Sequence, residues 1–195
     1  MSIPQTLLQM SGASLEPAKL EAATLILIDI QNEYTDGPLA LPDVDEATTK
    51  ASALLTKARQ AGSTIIHVFH KGGAGGLFDR NAPRGQAIES VMPIEGEAVV
   101  EKPLPNAFAE TGLKTLLDAA GNKDLIITGF MTHMCVSSTA RAALDQGFRV
   151  TIDADSCATR DLPDGQGGVV DAATLHQVAL TELSDRFAII ARGHY

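Results

Sequence analysis

Residues Asp124–Gly147 read DLIITGFMTHMCVSSTARAALDQG. The stretch Asp124–Gly129 is apolar without alternation, which is how a strand covered on both faces reads. From Met134 to Gln146 the pattern turns helical, and Gly147 follows as a left-handed C-cap. A strand that feeds a helix in this way is half of a crossover unit, and the rest of the chain repeats it. Further unbroken runs rich in Ile, Val and Leu stand at Thr24–Asp29, Thr64–Phe69, Ala98–Glu101, Arg149–Asp153 and Phe187–Ala191. Helical segments lie between them at Asp45–Gln60, Ala109–Ala120 and Asp171–Leu183, the first two closed by Gly62 and Gly121. Strand alternating with helix predicts an α/β fold: one parallel sheet of about six strands with helices on both faces and right-handed connections. The expected organisation is a single domain over residues 1–195, in which 1–23 form an N-terminal extension.

Composition narrows the function. At 195 residues and 45% hydrophobic, such a domain can bury roughly 70% of its unfolded surface. A net charge of −9 without any Lys/Arg cluster argues against nucleic acid and against an anionic membrane surface as partners. No apolar run approaches the roughly 20 residues of a membrane helix. The first twenty residues carry neither a basic n-region nor a long apolar core, so no secretory leader is expected. Two cysteines do not make a disulfide framework, and the expectation is a reduced, cytoplasmic protein. The partner left is a small molecule.

In parallel sheets of this kind ligands sit beyond the carboxyl ends of the strands. The first run stops at Asp29, the third reaches Glu101–Lys102, and the fourth leads through Gly129 to Cys135. An acid, an amine and a thiol are thus delivered to one rim. At a helix start, the dipole, the free N–H groups and a nearby Lys102 are expected to lower the Cys135 pKa. Asp29 could take the thiol proton on attack and return it to a leaving amine, while backbone N–H groups face the oxyanion. Each residue alone has a plainer reading: Cys135 as a core residue, Asp29 as a turn former, Lys102 as a solvated surface lysine. Cys157 is read as structural or pocket-lining. The Gly-rich segment His70–Gln86 leaves a strand's carboxyl end and is expected to border the site.

The chain resembles the isochorismatase-like cysteine hydrolases, a family that includes nicotinamidases, N-carbamoylsarcosine amidohydrolases and isochorismatases. The resemblance spans about Thr24 to Ala191. It rests on three motifs in order: LILIDIQNEY, EKPLPNAFAETGL and ITGFMTHMCV. It implies an Asp29–Lys102–Cys135 triad, an oxyanion hole from the backbone N–H groups of Met131 and Cys135, and a cis peptide between Phe130 and Met131. It also implies a homo-oligomer.

The sequence departs from the family in one place. Nicotinamidases carry an Asp-x-His pair after the second strand and bind a divalent metal there. Here the matching stretch is HVFHKGGAGG, with His70 in place of the Asp and Gly72 in place of the first His. No metal and no cofactor are therefore expected, and His67, inside a strand, is read as a core histidine. Isochorismatases proper cleave a vinyl ether and typically lack the cysteine. The expected function is cleavage of a C–N bond in a small amide or carbamoyl compound through a thioester. The alternatives are vinyl-ether hydrolysis with Asp29 as the acid, or a non-catalytic oligomeric binding module. Tyr34, His70, Phe108 and His133 are expected to line the pocket along with Met131.

Overall fold

The computed structural model describes residues 3–195. After a single helical turn α1 (Leu7–Met10), capped by Thr6, the elements run β1 (Ala23–Ile28), α2 (Val44–Ala61), β2 (Thr64–His70), β3 (Ala98–Lys102), α3 (Leu113–Ala120) and β4 (Asp124–Phe130). They continue with α4 (Ser137–Asp145), β5 (Arg149–Ala158), a two-residue antiparallel pair β6 (Leu162–Pro163) and β7 (Val169–Val170), α5 (Ala172–Arg186) and β8 (Ile189–Ala191). Six strands form one sheet in the order β3-β2-β1-β4-β5-β8, every neighbouring pair parallel.

The unbroken apolar runs have the cause their pattern implied. In β1, Leu25 and Leu27 point to one face and Ile26 and Ile28 to the other, and all four are buried. The first face packs Val44, Ala47, Ala51, Leu54, Leu55 and Ala58 of α2. The opposite face packs Leu113 and Leu117 of α3, Ala140 and Ala143 of α4, and Leu180 and Leu183 of α5. Apolar side chains on both faces of a strand are what a two-sided helical cover requires. Residues before β1 are tied to this body: Leu7 N–H donates to Asp185 Oδ1 (2.8 Å) and Ala18 N–H to Thr151 Oγ1 (3.0 Å).

Strand order reverses at β1, whose neighbours are β2 and β4, and such a switch point leaves a crevice beyond the carboxyl ends. Gly129 makes the close approach there possible. Its φ is +118°, and a Cβ on it would stand 2.0 Å from the Ile28 carbonyl oxygen, nearer than any side chain can come.

Several boundaries differ from the sequence reading. The segment Ala109–Gly112 is a turn rather than the start of a helix. Glu110 has φ +58°, Ala107 N–H donates to Thr139 Oγ1 (3.0 Å), and Thr111 Oγ1 donates to the Ala107 carbonyl (2.5 Å). These local bonds compete with helix formation. β5 continues five residues past Asp153, to Ala158, after a register shift against β4 between Ile127 and Gly129. Among the described residues no helix is long and apolar enough to cross a membrane.

Candidate active site

Three strand ends meet at the switch point. Asp29 follows β1 directly in a left-handed conformation, φ +52°, with its N–H donating to the Val68 carbonyl (2.8 Å). A non-glycine residue seldom adopts this conformation outside a constrained site. Lys102 closes β3, in register with His70 at the end of β2. Cys135 does not open an α-helix. It lies in a π-helical turn, Thr132–Val136, in which the Met131 carbonyl accepts from Met134 N–H (3.0 Å) and Val136 N–H (3.3 Å). The preceding Phe130–Met131 peptide is cis.

The Lys102 ammonium is the hub. Its Nζ lies 2.7 Å from Asp29 Oδ2 and 3.3 Å from Cys135 Sγ. It also lies 3.2 Å from the Leu104 carbonyl and 3.4 Å from His70 Nδ1. The Asp29–Lys102 contact is an ion pair set off the line of a hydrogen bond, so neither carboxylate oxygen has an aligned donor. Asp29 and Lys102 are fully buried and Cys135 is 4% exposed.

Burial corrects the expected thiol acidity. Desolvation, joined by the negative charge of Asp29, pushes the Cys135 thiol up to about 12 against the pull of Lys102. Burial raises the Asp29 carboxyl as well, with Lys102 pulling it back. The resting sulfur is therefore a thiol beside a carboxylate of raised affinity for protons. The two sit in each other's field and titrate as a pair.

The expected wall residues take different places. Tyr34 is buried, edge-on to Phe78 (centroids 5.3 Å) and to Phe130 (5.6 Å). Burial and then the charges of Asp29 and Cys135 raise its phenol pKa, so its ring shares the field of those two groups. Half-buried His70 meets Phe78 edge-on at 5.0 Å. His133 is half-buried too, its Nδ1 paired with Thr159 Oγ1. Phe108 does not join this group: its ring stacks on Phe148 at 6.2 Å against the core. Its place is a packing one. Cys157 is buried, 6% exposed, and pairs in register with Gly129, while His67 is a core histidine bonded to Glu97 (2.8 Å).

The sequence reading missed Arg160. It stands two residues past the end of β5, its Nε is buried without a hydrogen-bond partner, and among the described residues no carboxylate pairs with it. Its charge acts on both neighbours named above: after burial it is the next cause lowering the His133 pKa, and it acts against the upward shift of Tyr34. A guanidinium with no carboxylate partner is able to pair with an anionic group. The strand-end rule would have found it had β5 been read to Ala158.

Among the described residues no group of three or more His, Cys, Asp and Glu could hold a metal ion. The donor set does not fit the pyridine-binding metal of nicotinamidases, because His70 Nδ1 faces an ammonium and Gly72 offers no ligand. A 310 Å³ groove lined by Leu8, Leu144, Phe148 and Phe187 opens at the amino ends of the strands, away from Asp29, Lys102 and Cys135.

An isochorismatase domain model matches residues 23–194. A solved structure of an isochorismatase from Pseudomonas putida KT2440 superimposes with a TM-score of 0.94 at 46% identity, covering 97% of each chain. The secreted isochorismatase effector Isc1 of Verticillium dahliae is 37% identical over 93% of each chain. A streptothricin hydrolase of Streptomyces noursei is 35% identical over 87% of this chain and 62% of its own. The maleamate amidohydrolase of Pseudomonas putida is 32% identical over 66% of this chain and 68% of its own. With the fold, the strand-end cluster and these similarities together, the chain is a hydrolase of the isochorismatase family.

Proposed function

We propose that this hydrolase cleaves the C–N bond of a small amide or carbamoyl compound through a thioester on Cys135, within one domain spanning residues 1–195. The observation that carries the reading is the buried contact set of Lys102 with Asp29 at 2.7 Å and Cys135 Sγ at 3.3 Å. As Cys135 Sγ attacks the substrate carbonyl carbon, its proton passes to Asp29, whose raised affinity suits it as the base. Lys102 offsets the negative charge as it moves between sulfur and carboxylate. The oxyanion is met by the N–H groups of Met131, which precedes the π-helical turn that carries the sulfur, and Cys135, which lies in it. Collapse of the tetrahedral adduct breaks the C–N bond, and Asp29 returns the proton to the departing amine. Water then attacks the thioester, with Asp29 again taking the proton, and the acid leaves with the thiol restored.

In this reading Tyr34, His133 and Arg160 contact the substrate, and Arg160 favours one that carries an anionic group beside its amide. The relative named maleamate amidohydrolase agrees with an amide as the bond cleaved. The test is an ammonia-release screen over neutral primary amides, carboxylate-bearing amides and N-carbamoyl compounds, using wild type and Cys135→Ala. Turnover of a carboxylate-bearing amide that Cys135→Ala abolishes supports the reading. Turnover that survives in Cys135→Ala overturns it.

A further inference from the structure

His70 is the one neighbour of the Lys102 ammonium that can change its charge near neutral pH without taking part in bond making. Its Nδ1 stands 3.4 Å from Nζ, and it can accept from the ammonium only while the ring is neutral with its proton on Nε2. The backbone that carries the ring is held on both sides. His70 N–H donates to Gln31 Oε1 (2.9 Å), and Gln31 Nε2 donates to the His70 carbonyl (3.0 Å) and to the Gly85 carbonyl (2.8 Å). Gln31 is fully buried, so its side-chain amide holds both backbone groups of His70 at once. Phe78 meets the ring edge-on at 5.0 Å, and the Phe78 N–H is itself held by Glu33 Oε2 (3.0 Å).

Resting on the amidase reading above, we propose that His70 is a positioning residue, which as a neutral imidazole holds the Lys102 ammonium in place against Cys135 and Asp29. Four groups surround three ammonium protons, and the carboxylate contact alone does not fix the rotation of Nζ. The Leu104 carbonyl and His70 Nδ1 supply the two side restraints. A second proton on His70 places an N–H and a positive charge 3.4 Å from Nζ, which turns a restraint into a repulsion. The charged groups that face His70 are Lys102 from β3 and Asp29 from the end of β1. Burial and then Lys102 hold its pKa below the ordinary histidine value of 6.5, against the pull of Asp29, so the ring is neutral at physiological pH. Below that range the device switches off, separately from protonation of Asp29.

The test needs no identified substrate. Iodoacetamide, itself a small amide, is the probe, and the rate of Cys135 alkylation is followed by peptide mass spectrometry from pH 4 to 8 in wild type, His70→Asn and His70→Leu. Asparagine Oδ1 can occupy the place of Nδ1 and does not titrate; leucine removes the acceptor. Wild type is expected to lose rate on the acid side with a limiting slope of two protons, one from Asp29 and one from His70. His70→Asn is expected to keep the neutral-pH rate within about two-fold and to show a slope of one. His70→Leu is expected to be slower by about ten-fold across the range, the scale of a lost hydrogen bond to a charged group. A two-proton slope that persists in His70→Asn, or a His70→Leu rate equal to wild type, overturns the assignment while leaving the amidase reading in place. A wild-type Cys135 that is not alkylated at all removes both.

Discussion

Lys102→Met tests whether the ammonium holds the site together. The fully buried Nζ would be lost, and with it the ion pair to Asp29 at 2.7 Å and the bonds to the Leu104 carbonyl and Cys135 Sγ. Methionine fills most of the volume, so the penalty is electrostatic. Removing one member of a buried pair typically costs about 3–5 kcal/mol, because the other charge is stranded. That is a large fraction of the roughly 5–15 kcal/mol by which domains are stable.

The pH dependence identifies the stranded group. Asp29 already has a pKa above its ordinary value of 3.8 through burial, and losing Lys102 raises it further. A carboxyl raised in the folded state contributes stability below its unfolded pKa and loses it as pH rises through the folded value. The cost of Lys102→Met should therefore grow between pH 5 and pH 7.5 by up to about 3 kcal/mol, at roughly 1.4 kcal/mol per unit. Urea unfolding followed by circular dichroism at the two pH values reads it. Adding Asp29→Asn removes the stranded charge, so the double variant should recover all but about 1–2 kcal/mol. A Lys102→Met cost equal at both pH values, or no recovery in the double variant, would mean that no Asp29 charge is stranded.

Three further outcomes follow from other parts of the molecule. Gly129→Ala should destabilise by at least about 3 kcal/mol in thermal or urea unfolding, since its Cβ would stand 2.0 Å from the Ile28 carbonyl oxygen at a φ of +118°. Arg160→Met should raise KM for anionic amides by about ten- to a hundred-fold while leaving Cys135 alkylation by neutral iodoacetamide unchanged. Glu97 accepts from Arg59 Nε (2.7 Å) and pairs with His67 (2.8 Å). Burial pushes its carboxyl up, but Arg59, the Ile94 N–H and His67 outweigh this and hold it at about 2. A carboxyl depressed in this way contributes stability above its unfolded pKa of 4.5 and loses it as pH falls toward 2. Glu97→Gln should therefore cost about 2 kcal/mol at neutral pH and flatten the acid-side decline of stability.

The sheet was legible because burial on both faces writes itself into composition: runs such as LILI leave no polar position for solvent. Asp29, Lys102 and Cys135 could be read as strand-end residues for the same reason. What marked them as a triad was their resemblance to a family, since spacing alone left each its plainer role. Features built by tertiary contact were not legible. Ala109–Gly112 looks helical, yet the bonds to Thr139 and within the turn hold it open. β5 runs on through ADSCA, whose polar Asp155 and Ser156 mask a strand; Ser156 is satisfied inside the protein by Asp153 and Thr128. That masked extension is why Arg160 went unseen. The direction of the thiol shift was misread because charge and helix position show in sequence, whereas the depth of burial that outweighs them does not.

In the proposed reaction a covalent bond forms between the substrate carbonyl carbon and Cys135 Sγ. This step is tested most directly by rapid acid quench of wild type during turnover of a carboxylate-bearing amide, followed by peptide mass spectrometry. An adduct with the mass of the acyl group is expected on the peptide carrying Cys135, none on Cys157, and neutral hydroxylamine, which cleaves thioesters, should remove it. Turnover with no adduct on Cys135 at any quench time, together with full activity in Cys135→Ser, would contradict it.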